Sequence, residues 1–194
     1  MIKLISPRKE QMLYIETARQ RIAEILFKYP DKEFSLSELA QMAKVKKANI
    51  GGMLGELHKV GFIRIVKLPT IWRIKADQRN EHFIKSKIVY NLDVVYRCNL
   101  VEFLNEYYKN PRVIILFGSF RKGEDTPISD IDIAIEVDGV EEYITTRLKQ
   151  FAECEEALER KIQIHVFDRK DIDTNVFNNI ANGIVLSGFL EVNP

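Results

Sequence analysis

Five consecutive apolar residues, Val113-Ile114-Ile115-Leu116-Phe117, run straight into Gly118-Ser119. A run of that length and branching suits a strand buried on both faces, and a glycine at its end lets the chain turn. Ten residues separate Ser119 from Asp130, and a second strand is expected over Ser129 to Ile135. Side chains two apart on a strand share a face, so Asp130 and Asp132 project together while Ile131, Ile133 and Ile135 face a core. Two carboxylates roughly 6–7 Å apart along a strand repel each other unless a cation sits between them. Mg²⁺, or Mn²⁺ in its place, takes one or two carboxylates and completes its shell with water and phosphate oxygens. A Gly-Ser bend lets backbone and hydroxyl approach a phosphate. Together the two segments suit a metal-bound nucleoside triphosphate.

The 194 residues are 46% hydrophobic and 29% charged, the make-up of a globular protein of one or two small domains. No apolar stretch reaches membrane-spanning length, and MIKLISPRKEQ lacks the apolar centre of a secretion signal. Two cysteines, Cys98 and Cys154, supply neither a disulfide framework nor a four-ligand zinc site. A reducing, cytoplasmic compartment and no membrane partner are expected. The net charge of +1 hides a division. Residues 1–76 hold fifteen Lys and Arg against seven Asp and Glu, and residues 112–194 hold nine against sixteen. A basic N-terminal part beside an acidic C-terminal part suggests modules with different partners.

The basic part reads as three helices and a hairpin. Arg8 to Tyr29 has helical apolar spacing and stops at Pro30. Ser35 and Glu38 form a capping box at the start of a second helix. A third helix runs from about Lys47 to Val60, with Ile50, Leu54, Leu57 and Val60 inward and Gly61 as its stop. Phe62 to Val66 and Ile71 to Ile74 read as strands joined by Leu68-Pro69-Thr70. The segment FSLSELAQMAKVKKANIGGMLGELHKVGFIRI resembles a winged helix-turn-helix over about residues 10–76. The resemblance implies a third helix lying in the DNA major groove. Lys46, Lys47, Asn49, Lys59, Arg64, Lys67 and Arg73 are the candidate DNA contacts. Gly51, Gly52 and Gly55 offer nothing to a base edge, so a partner-protein or homodimer contact is the competing use. From about Asn80 to Lys109 a connecting helix, bent or doubled, changes its apolar face near Asn99. The expected division is residues 1–76, 77–111 and 112–194.

LFGSFRKGEDTPISDIDIAIEV resembles the minimal nucleotidyltransferases of the DNA polymerase β superfamily, and NIANGIVLSGFLEV resembles their closing segment. The whole chain is then α/β (α+β): a winged helix, a connecting helix and a mixed sheet flanked by helices. The resemblance implies that Gly118, Ser119 and Ser129 serve the nucleotide, and that Asp130 and Asp132 hold two Mg²⁺ and carry the catalysis. The reaction it implies is attack of a hydroxyl on the α-phosphorus of a nucleoside triphosphate, with pyrophosphate leaving. Arg121 and Lys122 are placed to neutralise phosphates. The family supplies a third carboxylate from a later strand, and here Gln163 stands at that place, with His165 two residues on. An amide offers an oxygen but no charge and is no base at neutral pH. His165 is the alternative ligand or base. The residues therefore support nucleotide and metal binding more fully than turnover. Two further readings follow: a DNA-binding regulator that binds nucleotide without chemistry, and an antitoxin-like partner of a helical toxin.

Overall fold

The computed structural model describes residues 17–192. The described chain divides into two compact units between Tyr90 and Asn91. That division falls inside the segment expected to connect the modules, so its first half belongs with the helical unit and its second with the sheet.

The helical unit opens with α1 (Ala18–Lys28), capped by the Thr17 side chain, whose backbone is extended. The helix therefore starts later than the expected Arg8, and the stretch from Arg8 to Glu16 lies outside the described residues. Ser35 and Glu38 make both bonds of a capping box on α2 (Leu36–Met42). α3 (Lys47–Lys59) buries Ile50, Leu54 and Leu57; Val60, expected inward, is its exposed C-terminal cap. β1 (Ile63–Lys67) and β2 (Trp72–Ala76) pair antiparallel, and Phe34 adds a bridge to Ile74. Three helices and this hairpin form a winged helix, closed on a core of Ile22, Leu26, Phe34, Leu39, Ile50, Leu54 and Ile74.

The connecting stretch, expected bent or doubled, is two helices, α4 (Glu81–Arg97) and α5 (Leu100–Tyr107), with the break at Asn99 where the apolar face shifts. Asn99 adopts a left-handed φ of 54°, a state that asparagine tolerates better than most residues. The sheet unit continues with β3 (Val113–Phe117), α6 (Gly118–Lys122), β4 (Ile131–Glu136), β5 (Ile144–Thr146), a 3₁₀ turn, α7 (Ala152–Leu158), β6 (Ile162–Phe167), α8 (Thr174–Ala181) and β7 (Ile184–Gly188). The strand order is β5-β6-β4-β3-β7, with β4 and β6 parallel and the other pairs antiparallel. Ile114, Leu116, Ile131, Ile133, Ile135, Ile162 and Ile164 face one core with Leu100, Phe103, Leu104 and Phe151. Val113, Ile115, Ala134 and Phe167 face the other side, where Ile180 of α8 covers them. The expected alternation on β4 is therefore real, although Ser129 and Asp130 precede the strand rather than open it.

Candidate functional site

Asp132 stands at the centre of the sheet, in register with Phe117 of β3 on one side and Gln163 of β6 on the other. Cross-strand partners share a face, so Gln163 lies beside Asp132 as the sequence spacing requires. β3 ends at Phe117, and Gly118 turns into α6 with φ +73°. A side chain at Gly118 would overlap Oδ2 of Asp132. The glycine is therefore needed twice, for its backbone conformation and for the carboxylate that lies against it.

His165 comes next on the same face of β6. Its Nε2 lies 3.3 Å from Asp132 Oδ1, and its Nδ1 meets the hydroxyl of Tyr143. Burial raises the Tyr143 phenol above its ordinary range; a bond with Thr145 opposes the rise in part, and Asp132 adds to it. The phenol is therefore protonated at neutral pH. A neutral imidazole satisfies both contacts, accepting from Tyr143 and donating to Asp132. The ring also packs edge-on against Phe117, with centroids 4.8 Å apart. Asp130 has a different partner: Arg147 Nη2 donates to its Oδ2 at 2.7 Å.

Tyr143 and Arg147 escaped the sequence reading. They flank β5, a three-residue edge strand whose Thr145 pairs with His165. No local signal marks them, since both lie just outside a strand of three residues.

The other expected nucleotide contacts are placed unevenly. Ser119 lies on α6 beside Gly118, with Arg121 half-buried and Lys122 exposed further along. The Ser129 hydroxyl accepts the Thr126 N–H at 2.9 Å and so shapes the loop before Asp130. That loop is pinned from α4: buried Asn91 donates to the Phe120 carbonyl at 2.7 Å and to Asp125 Oδ1 at 2.8 Å. Asp168, at the end of β6, accepts N–H bonds from Gly139 and Lys170 and takes no part in the site. Among the described residues no cluster of three or more His, Cys, Asp or Glu side chains is placed to hold a metal ion.

On the winged helix, Lys46, Lys47, Asn49, Gly52, Glu56 and Lys59 are all exposed. The wing is less open than the sequence suggests. Arg64 makes two bonds to Asp77, at 2.9 and 2.6 Å, Arg73 pairs with Glu33, and Lys67 lies 4.3 Å from the centre of the Trp72 ring. Side chains at Gly51, Gly52 and Gly55 would meet nothing within 4 Å. No packing among the described residues requires these glycines, each of which lowers helix propensity. Gly55→Ala is expected to stabilise the unit by about 1 kcal/mol, read as a rise in its thermal midpoint.

Residues 99–188 match the family model described as Polymerase beta, Nucleotidyltransferase. Two solved structures are similar to parts of the chain. The crystal structure of transcriptional regulator PA4135 is 20% identical, with 49% of this chain and 78% of that one covered at a TM-score of 0.34. The crystal structure of NadR in complex with 4-hydroxyphenylacetate is 21% identical, with 48% and 65% covered at a TM-score of 0.35. No protein of curated function matches the chain. Among the described residues no helix is long and apolar enough to cross a membrane.

Proposed function

We propose, from the premise that residues 99–188 form a nucleotidyltransferase domain of the polymerase β family, that the site transfers a nucleoside monophosphate to a hydroxyl acceptor. The observation that carries this reading is Asp132, held in mid-sheet with its Oδ2 against Gly118. A carboxylate beside a glycine bend is the geometry that a metal-bound triphosphate needs: a hard cation on the acid and phosphate oxygens near the backbone. The carboxylate of Asp132 fits Mg²⁺ or Mn²⁺ by its chemistry, a hard oxygen ligand whose shell phosphate oxygens and water complete, with Asp130 two positions before it. When bound, the ion offsets the negative charge that develops on the phosphoryl oxygens and the leaving oxygen.

In the transfer, a bond forms between the acceptor oxygen and the α-phosphorus. The bond from that phosphorus to the bridging oxygen breaks, pyrophosphate departs, and the acceptor's proton passes to solvent water. Ser119, Arg121 and Lys122 follow Gly118 on α6 and in this reading serve the triphosphate. Asp130 and Asp132 bear the charge that orients it, and His165 holds Asp132 in one rotamer.

The test is transfer of label from α-labelled triphosphates to protein, RNA ends and small hydroxyl compounds in the presence of Mg²⁺. Asp132→Asn is expected to lower transfer by about 100-fold or more, the scale of a misplaced catalytic group. An unchanged rate in that variant removes the reading.

Gln163 favours a second reading, in which nucleotide binds and no group is transferred. Calorimetric binding of Mg²⁺ and triphosphate with no labelled product from any acceptor would select it. In either reading the winged helix contacts DNA phosphates through Lys46, Lys47 and Lys59, which are exposed on or beside α3. Affinity that falls steeply with salt is the expected signature.

A further inference from the structure

Both carboxylates of the site already have partners within the chain. Asp132 receives the His165 N–H on Oδ1, and its other oxygen faces Gly118. Asp130 receives a guanidinium bond from Arg147 on Oδ2. At the place where a third acid would complete a second metal position stands Gln163, in register with Asp132 and without charge.

These positions divide the site in two. Toward Gly118, Asp132 Oδ2 is directed at the bend where the triphosphate is proposed to lie. There a cation finds one carboxylate oxygen together with phosphate oxygens, which is the kind of shell Mg²⁺ accepts. Toward β5 and β6, the groups around the two aspartates are a guanidinium, an imidazole and an amide. A second divalent ion there would have to displace the imidazole and the guanidinium. It would gain no further anionic ligand, since no cluster of three acidic, His or Cys ligands exists among the described residues. The Arg147–Asp130 pair lies at the surface, with the Arg147 side chain 54% exposed, so the guanidinium acts through its charge at Asp130 and not as a buried anchor. Its charge does not titrate in the working range, and its planar fork matches a carboxylate.

We propose that this site binds one divalent cation per nucleotide, on the Gly118 side. In place of a second ion, Arg147 supplies positive charge on Asp130, and His165, oriented by Tyr143, fixes Asp132. Arg147 and Tyr143 are thus positioning residues. The proposal rests on the nucleotidyltransferase reading and narrows it from two metal ions to one.

The count of bound ions decides it. Full-length protein is titrated with Mn²⁺ in the presence of the α,β-methylene form of each ribonucleoside triphosphate in turn, and free Mn²⁺ is read by electron paramagnetic resonance. One ion per chain is expected in the ternary complex. Two ions in the unaltered protein overturn the proposal while leaving the nucleotidyltransferase reading intact. If no Mn²⁺-nucleotide binds in any of the four titrations, the nucleotidyltransferase reading fails, and this proposal fails with it. The double variant Arg147→Gln, Gln163→Glu removes the internal cation and restores the third acid, so it is expected to bind two. A count of one in a folded double variant overturns the assignment to Arg147 and Gln163. The count in the unaltered protein is decisive on its own should that variant not fold.

Discussion

Gly118→Ala is expected to remove nucleotide transfer while leaving the sheet unit folded. At φ +73° an alanine is strained by roughly 1–2 kcal/mol, which a domain of this size survives. The larger consequence is steric. The new methyl group would occupy the space of Asp132 Oδ2, so the carboxylate must turn or the end of β3 must shift. A displacement of about 1 Å at a reacting centre costs about 100-fold in rate. The same change should weaken Mn²⁺-nucleotide binding in the titration described above. Circular dichroism melting separates the two contributions: a modest drop in midpoint with lost transfer is the expected pair. Full activity in Gly118→Ala would show that the bend and Asp132 do not act together.

Arg169→Ala is expected to cost as much stability as truncating a core side chain, although Arg169 lies at the edge of the sheet unit and outside the site. Glu136, the last residue of β4, has a side chain only 2% exposed. Its two oxygens accept from Arg169 Nε and Nη2 at 2.5 and 2.9 Å, and Arg169 also reaches the Glu191 carboxylate at 2.8 Å. Removing the guanidinium leaves a buried carboxylate without its counter-ion, a change that costs about 3–5 kcal/mol. Arg169 is itself partly exposed, so about 3 kcal/mol is the figure to expect here. In a unit of roughly one hundred residues this corresponds to a fall in midpoint on the order of 10–20 °C. Glu136→Gln in the same background should recover part of the loss, because the charge that lacks a partner is then gone. Arg112→Ala breaks an ion pair with Asp138 that lies on the surface, and its effect should be small by comparison.

What could be read from the sequence was what neighbouring residues decide among themselves. The capping box of Ser35 and Glu38, the strand from Val113 to Phe117 and the facing of Asp132 all follow from spacings within a few residues. The break at Asn99 was visible as a shift of apolar face, and of the two forms expected, bent or doubled, the chain takes the doubled one. What could not be read were choices made by distant chain. Asp77 holds Arg64 from 13 positions away, and Glu33 holds Arg73 from 40, so two arginines expected to face phosphate have carboxylate partners instead. Arg147 finds Asp130 across 17 positions because β5 pairs with β6, and nothing in a three-residue edge strand announces that pairing. The start of α1 at Thr17 was missed because the apolar period continues upstream of the cap.

The two bonds from Asn91 bear on how fast a ligand can be captured. A carboxamide that is 1% exposed already fixes the segment after Ser119, by way of Phe120 and Asp125, before anything has bound. Little backbone freedom then remains to be lost at the moment of capture, and less of the contact energy is consumed in ordering the protein. Association should follow a single bimolecular phase whose rate climbs in proportion to ligand concentration, with no plateau set by loop closure.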